Sequence, residues 1–353
     1  MKYKINKKII SNKSKTYFIA DIAANHDGSL KRAKELIHAA KAAGADAAKF
    51  QHFSAKTIVS DFGFKSLKGK FSHQSKWKKS VFEVYQDASI NLNWTNSLKK
   101  TCERVGIEFF SSPYSYEMVN HLDPFVSTFK IGSGDITWLD YLEFISKKNK
   151  PIILATGASN LREVKLATNK ILKKNKKLIL MQCNTNYTAS KNNLEHINLN
   201  VLKIYKKLFP KVVLGLSDHT FGHTSVLGAV TLGARVIEKH FTDDNKRTGP
   251  DHKFSMNPIT WRNMVDATRE LELTLGNGLK KVEKNENQTV VLQRRSIRLK
   301  SSVDKNQIIR KDNLVFLRPC PKDAYLLENY KNIIGKKVKR KIKSGDYIKK
   351  SDF

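Results

Sequence analysis

The sequence predicts an α/β chain: a (β/α)8 TIM barrel followed by a small β-rich domain. Three observations carry the prediction. Short β-branched runs alternate with amphipathic stretches from residue 17 to residue 276, and eight strand–helix units over about 260 residues suit a closed barrel. The first run leads into Asn25-His26-Asp27-Gly28-Ser29, without the G-x-G-x-x-G turn that a doubly wound open sheet would want there. The pattern then changes after Leu275-Gly276-Asn277-Gly278, which reads as a helix end.

In chain order, strands are predicted over 17–23, 47–51, 108–111, 128–131, 151–156, 178–182, 213–217 and 235–239. Each is a short, mainly apolar run, such as Tyr17-Phe-Ile-Ala or Pro151-Ile-Ile-Leu, as a parallel strand buried on both faces requires. Helices are predicted over 29–43, 92–105, 139–148, 161–173, 201–208, 223–232 and 258–275, where the apolar pattern is amphipathic. The stretch 53–91 is long for a βα loop, and loops of that length are more often functional than idle. Residues 278–289 are polar and charged, as a linker would be. Beyond them, 290–299, 315–317 and 333–342 have strand character, with Ser344-Gly345-Asp346 as a turn. The expected division is therefore a barrel over 1–277, a linker over 278–289 and a small domain over 290–353. A domain of about 65 residues is marginal alone, so it is expected to pack on the barrel or on a partner subunit.

The 353 residues carry 65 Lys+Arg against 32 Asp+Glu, a formal charge of +33. The lysines are spread along the whole chain, and neither zinc-finger spacing nor basic–aromatic interleaving accompanies them, so no nucleic-acid partner is expected. No apolar run approaches the length of a membrane-spanning helix. The basic start MKYKINKKIISNKSK has no apolar core of a signal peptide. Cys102, Cys183 and Cys320 are too few and scattered for a disulfide frame or a cysteine zinc site. A soluble, cytoplasmic protein with no membrane association is the expectation.

Function is expected at the C-terminal ends of the strands, where barrel active sites sit. Asp21 and Asn25-His26 follow from strand one, Lys49 and Gln51 from strand two, Ser111-Ser112 from strand three. Lys130, Ser133 and Asp135 come from strand four, and Asn184-Thr185-Asn186-Tyr187 from strand six. Strand seven supplies Ser217, Asp218 and His219, and strand eight supplies Glu238, Lys239 and His240. His219 and His240 are one βα unit apart, so they belong on adjacent strands about 5 Å apart, where two imidazoles can share a divalent cation with positions left open. A mixed nitrogen–oxygen site with waters suits manganese, magnesium or iron. Glu238 lies two residues before His240 and points the same way. Lys49 and Lys130, with Ser112, Ser133 and Ser217, could cradle a phosphate. An imine-forming aldolase lysine is the competing reading. Cys183 has no dedicated base and reads as a buried thiol.

These residues stand in motifs that resemble the sialic acid synthase family. The matching stretches are Phe18-Ile-Ala-Asp-Ile-Ala-Ala-Asn-His-Asp-Gly28, Ala48-Lys-Phe-Gln51, Phe129-Lys-Ile-Gly-Ser-Gly-Asp135 and Pro151-Ile-Ile-Leu-Ala-Thr-Gly157. Gly215-Leu-Ser-Asp-His-Thr220, Ile237-Glu-Lys-His-Phe-Thr242 and Gly249-Pro-Asp-His252 follow in order. The tail, with Leu317-Arg-Pro319 and Ile334-Gly-Lys336, is similar to the family's antifreeze-like (SAF, β-clip) domain.

The resemblance implies condensation of phosphoenolpyruvate with N-acetylmannosamine or a diacetamido-dideoxy analogue, by C–O cleavage, giving a nonulosonic acid and phosphate. It makes His219 and His240 ligands of a divalent metal, most often Mn2+. Lys49, Ser112, Lys130, Ser133, Thr185 and Ser217 would grip phosphoenolpyruvate, and Gln51 belongs to the same substrate-binding set. Asp21, Lys49, Lys130 and Glu238 would be the catalytic residues, with Tyr187, Glu238 and Asp251 near sugar and metal. Arg318 would reach across a domain-swapped homodimer to the sugar's N-acyl group. Departures cluster near the sugar. Asp21 stands where the family usually has Glu, Gln182 where it often has His, and Thr188 where it often has Pro. Cys320-Pro-Lys-Asp-Ala-Tyr325 replaces a frequent Gly-x-Gly stretch. Two other readings remain: another barrel aldolase or 3-deoxy-sugar-acid synthase, and a non-enzymatic carbohydrate-binding protein.

Overall fold

A computed structural model of the chain describes residues 2–5, 8–67, 74 and 77–353. It divides into two compact units, Met1–Gly276 and Asn277–Phe353. The first begins with an antiparallel hairpin, β1 (Lys2–Ile5) and β2 (Lys8–Ser11). Eight parallel strands follow: β3 (Tyr17–Asp21), β4 (Ala47–His52), β5 (Glu108–Pro113), β6 (Phe129–Ile131), β7 (Ile152–Ala155), β8 (Leu178–Cys183), β9 (Val213–Asp218) and β10 (Val236–His240). They close in sequence order, with β10 pairing β3, into a barrel. Helices α1 (Leu30–Ala42), α5 (Thr95–Val105), α6 (Tyr116–Leu122), α7 (Leu139–Ser146), α8 (Leu161–Lys174), α9 (Val201–Leu208), α10 (Thr224–Thr231) and α11 (Pro258–Thr274) connect or follow the strands. Three short helices, α2 (Ala55–Ile58), α3 (Asp61–Ser66) and α4 (Val81–Ala88), occupy the long segment after β4.

Local chemistry sets the helix ends. Ser29 accepts a hydrogen bond from the Arg32 amide at the start of α1. Asn160 and Glu163 form a reciprocal cap on α8, and Asn257 caps α11 ahead of Pro258. Gly106 ends α5 at φ 75°, the left-handed conformation that glycine adopts without a Cβ clash.

Alternation along the strands sorts the side chains. Phe18, Ala20, Phe50, Phe109, Leu214 and Ile237 belong to the core between barrel and helices. Tyr17, Ile19, Ala47, Phe110, Ile153, Ile179, Met181, Val213 and Val236 fill the barrel's lower interior. Tyr3, Ile5 and Ile10 of the hairpin join that inner cluster and plug the floor. The next inward layers hold Asp21, Lys49, Ser112, Lys130, Ser217 and Glu238.

The predicted barrel strands lie within about two residues of the observed ones, but several expectations need correction. The stretch 333–342, expected as strand, holds the end of a 3-10 segment (Leu327–Ile333) and only isolated bridges at Lys337 and Ile342. The hairpin lies where the sequence shows only a basic start, because its lysines alternate with the apolar residues that face inward. Residues 92–94 form a 3-10 turn rather than the first turn of a helix. The stretch 290–299, expected as strand, is split between α12 (Asn287–Gln293) and β11 (Ser296–Leu299), and the predicted linker 278–289 runs into α12. Helix α6 had no sequence expectation at all. In the second unit, β11 pairs antiparallel with β12 (Leu314–Leu317), over a core of Ile297, Leu299, Val303, Ile309, Leu314, Ile333, Val338, Ile342 and Ile348.

Candidate active site

The C-terminal mouth of the barrel opens on two adjoining chambers. The inner one, about 40 Å3, is lined by Asp21, Lys49, Gln51, Ser112, Lys130, Ser133, Tyr187, Ser217, His219, Glu238 and His240, so one space gathers eleven of the residues singled out from sequence. The outer one, about 430 Å3, shares Gln51, Ser133, Tyr187 and His240 with it and adds Thr185 and Asp251. Arg318 is an exposed residue of the second unit, just after β12.

Charge in the inner chamber is paired and buried. Lys49 Nζ lies 2.6 Å from Asp21 Oδ2 and 4.0 Å from Glu238 Oε1, and Lys130 Nζ lies 3.1 Å from the same Glu238 oxygen. Gln51 Nε2 donates to Asp21 Oδ2 at 3.2 Å, and Ser217 Oγ donates to Glu238 Oε1 at 3.3 Å. Burial pulls the Lys49 ammonium towards its neutral form, but Asp21 and Glu238 outweigh it and leave the pKa raised. An imine-forming lysine needs the opposite, a free amine at neutral pH, so the aldolase reading of Lys49 loses its footing.

His219 and His240 face each other with ring centroids 5.4 Å apart. His219 Nδ1 is 3.0 Å from the Asn184 carbonyl. Nδ1 of His240 and Oε2 of Glu238 are buried without a hydrogen-bond partner, an expensive arrangement unless something else binds there. Burial, then His219 and Lys49, hold His240 well below the usual imidazole range, in the neutral form that ligates metals. Among the described residues, no set of three or more His, Cys, Asp or Glu side chains is placed to hold a metal. The imidazole pair fits a cation that takes its remaining ligands from water and substrate. Tyr187 and Phe254 pack edge-on around the pair, at 4.6 Å from His219 and 4.9 Å from His240.

Two half-buried carboxyls belong to the outer chamber. Burial raises Asp135 and Asp251 to about 6. Asp251 Oδ2 accepts from the Ala24 amide at 3.2 Å. Its loop is tied to the first βα loop through His252, which meets Asp27 at 2.9 Å and Thr242 at 2.7 Å.

Alternation places some expected rim residues elsewhere. Ser111 turns outward to His52, Asn25 binds the Phe241 carbonyl, and His26 packs on Trp94. Asp218 and Lys239 point away from both chambers. Cys183, read as a bystander, lines the inner chamber. Its thiol, pushed up by burial, is drawn down below the usual range by contact with His219. Sequence reasoning missed Tyr114, Gly132 and the loop residues Phe53, Trp77 and Tyr85, which line the outer chamber. It also missed Gly157, whose amide donates to Ser133 Oγ at 2.9 Å. Tyr114 was within reach, since it directly follows the Ser111-Ser112-Pro113 strand end.

The profile of the NeuB family matches residues 36–280 and that of the SAF domain matches 294–353. The N,N'-diacetyllegionaminic acid synthase of Campylobacter jejuni serotype O:2 is 36% identical over 340 residues, 95% of this chain and 99% of that protein. A pseudaminic acid synthase of Campylobacter jejuni serotype O:23/36 is 34% identical over 348 residues, 96% of this chain and 97% of that protein. Among solved structures, the N-acetylneuraminic acid synthetase of Leptospira borgpetersenii, in complex with citrate, superposes with a TM-score of 0.71 at 26% identity. That match covers 82% of this chain and 95% of the other.

Proposed function

The chain belongs to the NeuB family and carries an SAF domain, and from that premise we propose that it condenses phosphoenolpyruvate with an N-acylated hexosamine to give a nonulosonic acid and phosphate. The observation that carries this reading is the nesting of the chambers: paired lysines and hydroxyls on the floor, imidazoles at the neck, and a wider space above. The floor suits a small, highly charged anion and the space above it a sugar.

In this reading Lys49 and Lys130 hold the phosphate and carboxylate, with Ser112, Ser133, Thr185 and Ser217 donating hydrogen bonds. Binding the anion would exchange their contacts with Asp21 and Glu238 for contacts with substrate. His219 and His240 would hold a divalent cation, with manganese as the leading candidate and magnesium an alternative, and it would polarise the aldehyde oxygen of the open-chain sugar. C3 of the enol then attacks the aldehyde carbon, water adds at C2, and the C2–O bond breaks as phosphate leaves. Asp21, in contact with Lys49 and Gln51, would take the proton of the attacking water. Glu238, 3.1 Å from Lys130 Nζ and 4.0 Å from Lys49 Nζ, would hold the two ammonium groups in place until the anion binds. Asp251, Gln51 and Tyr187 face the sugar, and Arg318 of a partner chain would close over its N-acyl group in a domain-swapped homodimer. Two relatives are named as N,N'-diacetyllegionaminic acid and pseudaminic acid synthases, so diacetamido-dideoxy sugars belong in the assay beside N-acetylmannosamine. Among the described residues no helix is long and apolar enough to cross a membrane, and use of phosphoenolpyruvate argues for the cytoplasm.

The test is phosphate release from phosphoenolpyruvate by purified protein with Mn2+, against a panel of N-acylated hexosamines, with and without EDTA. Release that needs both sugar and metal supports the reading. Release in EDTA would remove the metal, and no release with any sugar would remove the activity.

A further inference from the structure

Behind the imidazole pair, on the outward face of the same two strands, lies an ion pair that touches neither chamber. Lys239 Nζ is 2.5 Å from Asp218 Oδ2, with both side chains at most 1% exposed. The two residues are register partners between β9 and β10. The lysine also donates to the Thr220 carbonyl at 2.7 Å. The carboxylate accepts from the Thr220 amide at 3.1 Å, from the Thr220 hydroxyl at 2.9 Å, and from Ser225 Oγ at 2.5 Å. Burial opposes the charge on Asp218, but Lys239 and these donors hold its pKa below the usual carboxylate range.

A buried ion pair is weak evidence for stability, since an apolar pair of the same volume would often hold a fold as well. What it supplies instead is direction. Lys239 bonds to groups on both sides of His219, the Asp218 carboxylate and the Thr220 carbonyl, and is itself the residue before His240. One ammonium thus fixes the backbone flanking both imidazoles. Because strand neighbours face opposite ways, fixing 218, 220 and 239 outside the barrel aims 219 and 240 into it.

We propose that Lys239 and Asp218 are positioning residues that set the separation and aim of His219 and His240, and so the affinity of that pair for a divalent cation. The inference rests on the reading of the pair as a metal site. Outer-shell partners of metal ligands typically govern affinity by roughly 10–100-fold, and these act through the backbone rather than through the rings.

Two substitutions test it: Lys239→Met, which keeps length and removes charge, and Thr220→Val, which keeps shape and removes the hydroxyl. Mn2+ binding is followed by electron paramagnetic resonance of the free ion, and amide hydrogen exchange is measured on metal-free protein. The expected result is a Kd for Mn2+ raised about tenfold or more in Lys239→Met and severalfold in Thr220→Val. Faster exchange should be confined to 218–220 and 239–241. Should Lys239→Met fail to fold, Thr220→Val carries the test. A lowered Tm with Kd within twofold of the unsubstituted protein would mark a merely structural pair and overturn the proposal. If the unsubstituted protein binds no Mn2+, the metal reading falls, and unchanged exchange in the variants would then overturn the positioning role independently.

Discussion

Lys49 and Asp21 stand opposite each other on β4 and β3 as register partners, their charged atoms 2.6 Å apart and both side chains at most 3% exposed. Neither charge would be tolerated at that depth alone, and the pair holds ready the cation that the proposed anion needs. Lys49→Met should therefore harm twice. It strands the Asp21 carboxylate, which costs about 3–5 kcal/mol when a buried pair loses one partner, and it removes a charge-assisted contact to phosphoenolpyruvate. Melting temperature and kcat/KM for phosphoenolpyruvate should both fall, the latter by roughly 10–100-fold. Adding Asp21→Asn should restore the melting temperature and leave the activity low. Recovery of both, or of neither, would contradict this account.

Gly157 is a second point of sensitivity. A Cβ there would lie 1.8 Å from Thr185 Oγ1 and 2.9 Å from Ser133 Oγ, so even alanine must push apart two residues of the proposed cradle. Overpacking of this kind costs about 1–3 kcal/mol. Gly157→Ala should lower thermal stability within that range and raise KM for phosphoenolpyruvate, while Mn2+ binding stays as before. An unaltered KM would remove Gly157 from the cradle.

Arg318 tests the contribution of the second unit. If a partner's arginine meets the N-acyl group, Arg318→Ala should raise KM for the sugar at least about tenfold, the worth of one charge-assisted hydrogen bond. KM for phosphoenolpyruvate should remain. Equal losses for both substrates would sink the cross-subunit role, as would a monomeric enzyme of full activity in analytical ultracentrifugation.

His52, whose side chain lines neither chamber, gives a pH signature of its own. Buried between Ser111 and Thr95, at 2.6 and 2.9 Å, its imidazole is lowered to about 3, chiefly by burial. The unfolded chain takes up that proton near pH 6.5, so between pH 6.5 and 3 the unfolded state binds more protons and stability drops as pH falls. In His52→Gln that loss is absent. The variant should be less stable than the parent at pH 7.5, and the gap should narrow below pH 6.5 by on the order of 1 kcal/mol per pH unit. Urea unfolding at several pH values gives the comparison, and a gap independent of pH would show His52 charging normally in the folded state.

The barrel and most of its inner site were legible because both follow from period two. A run such as Val236-Ile-Glu-Lys-His240 declares a strand and puts 236, 238 and 240 on one side. That rule alone also separates Glu238 and His240, which line the inner chamber, from Lys239, which pairs with Asp218 outside it. What stayed hidden depends on contacts distant in sequence. Trp77 and Tyr85 line the outer chamber although they lie far in sequence from the strand ends that form its walls. Gly157 matters because β6 and β8 bring Ser133 and Thr185 against it. The β1–β2 hairpin escaped notice since its lysines face outward, and composition registered those before the apolar residues between them.

That hairpin has a kinetic consequence. With Tyr3, Ile5 and Ile10 packed into the lower barrel, the described residues close the site from below, and its narrow part lies beneath its wide part. Traffic through a site of that shape must queue. On the proposed assignment of the chambers, the anion has to reach the floor before a sugar settles above it, and phosphate formed at the floor can depart only after the new acid has vacated the neck. Steady-state patterns should accordingly be ordered, with phosphate competing against phosphoenolpyruvate and not against the sugar.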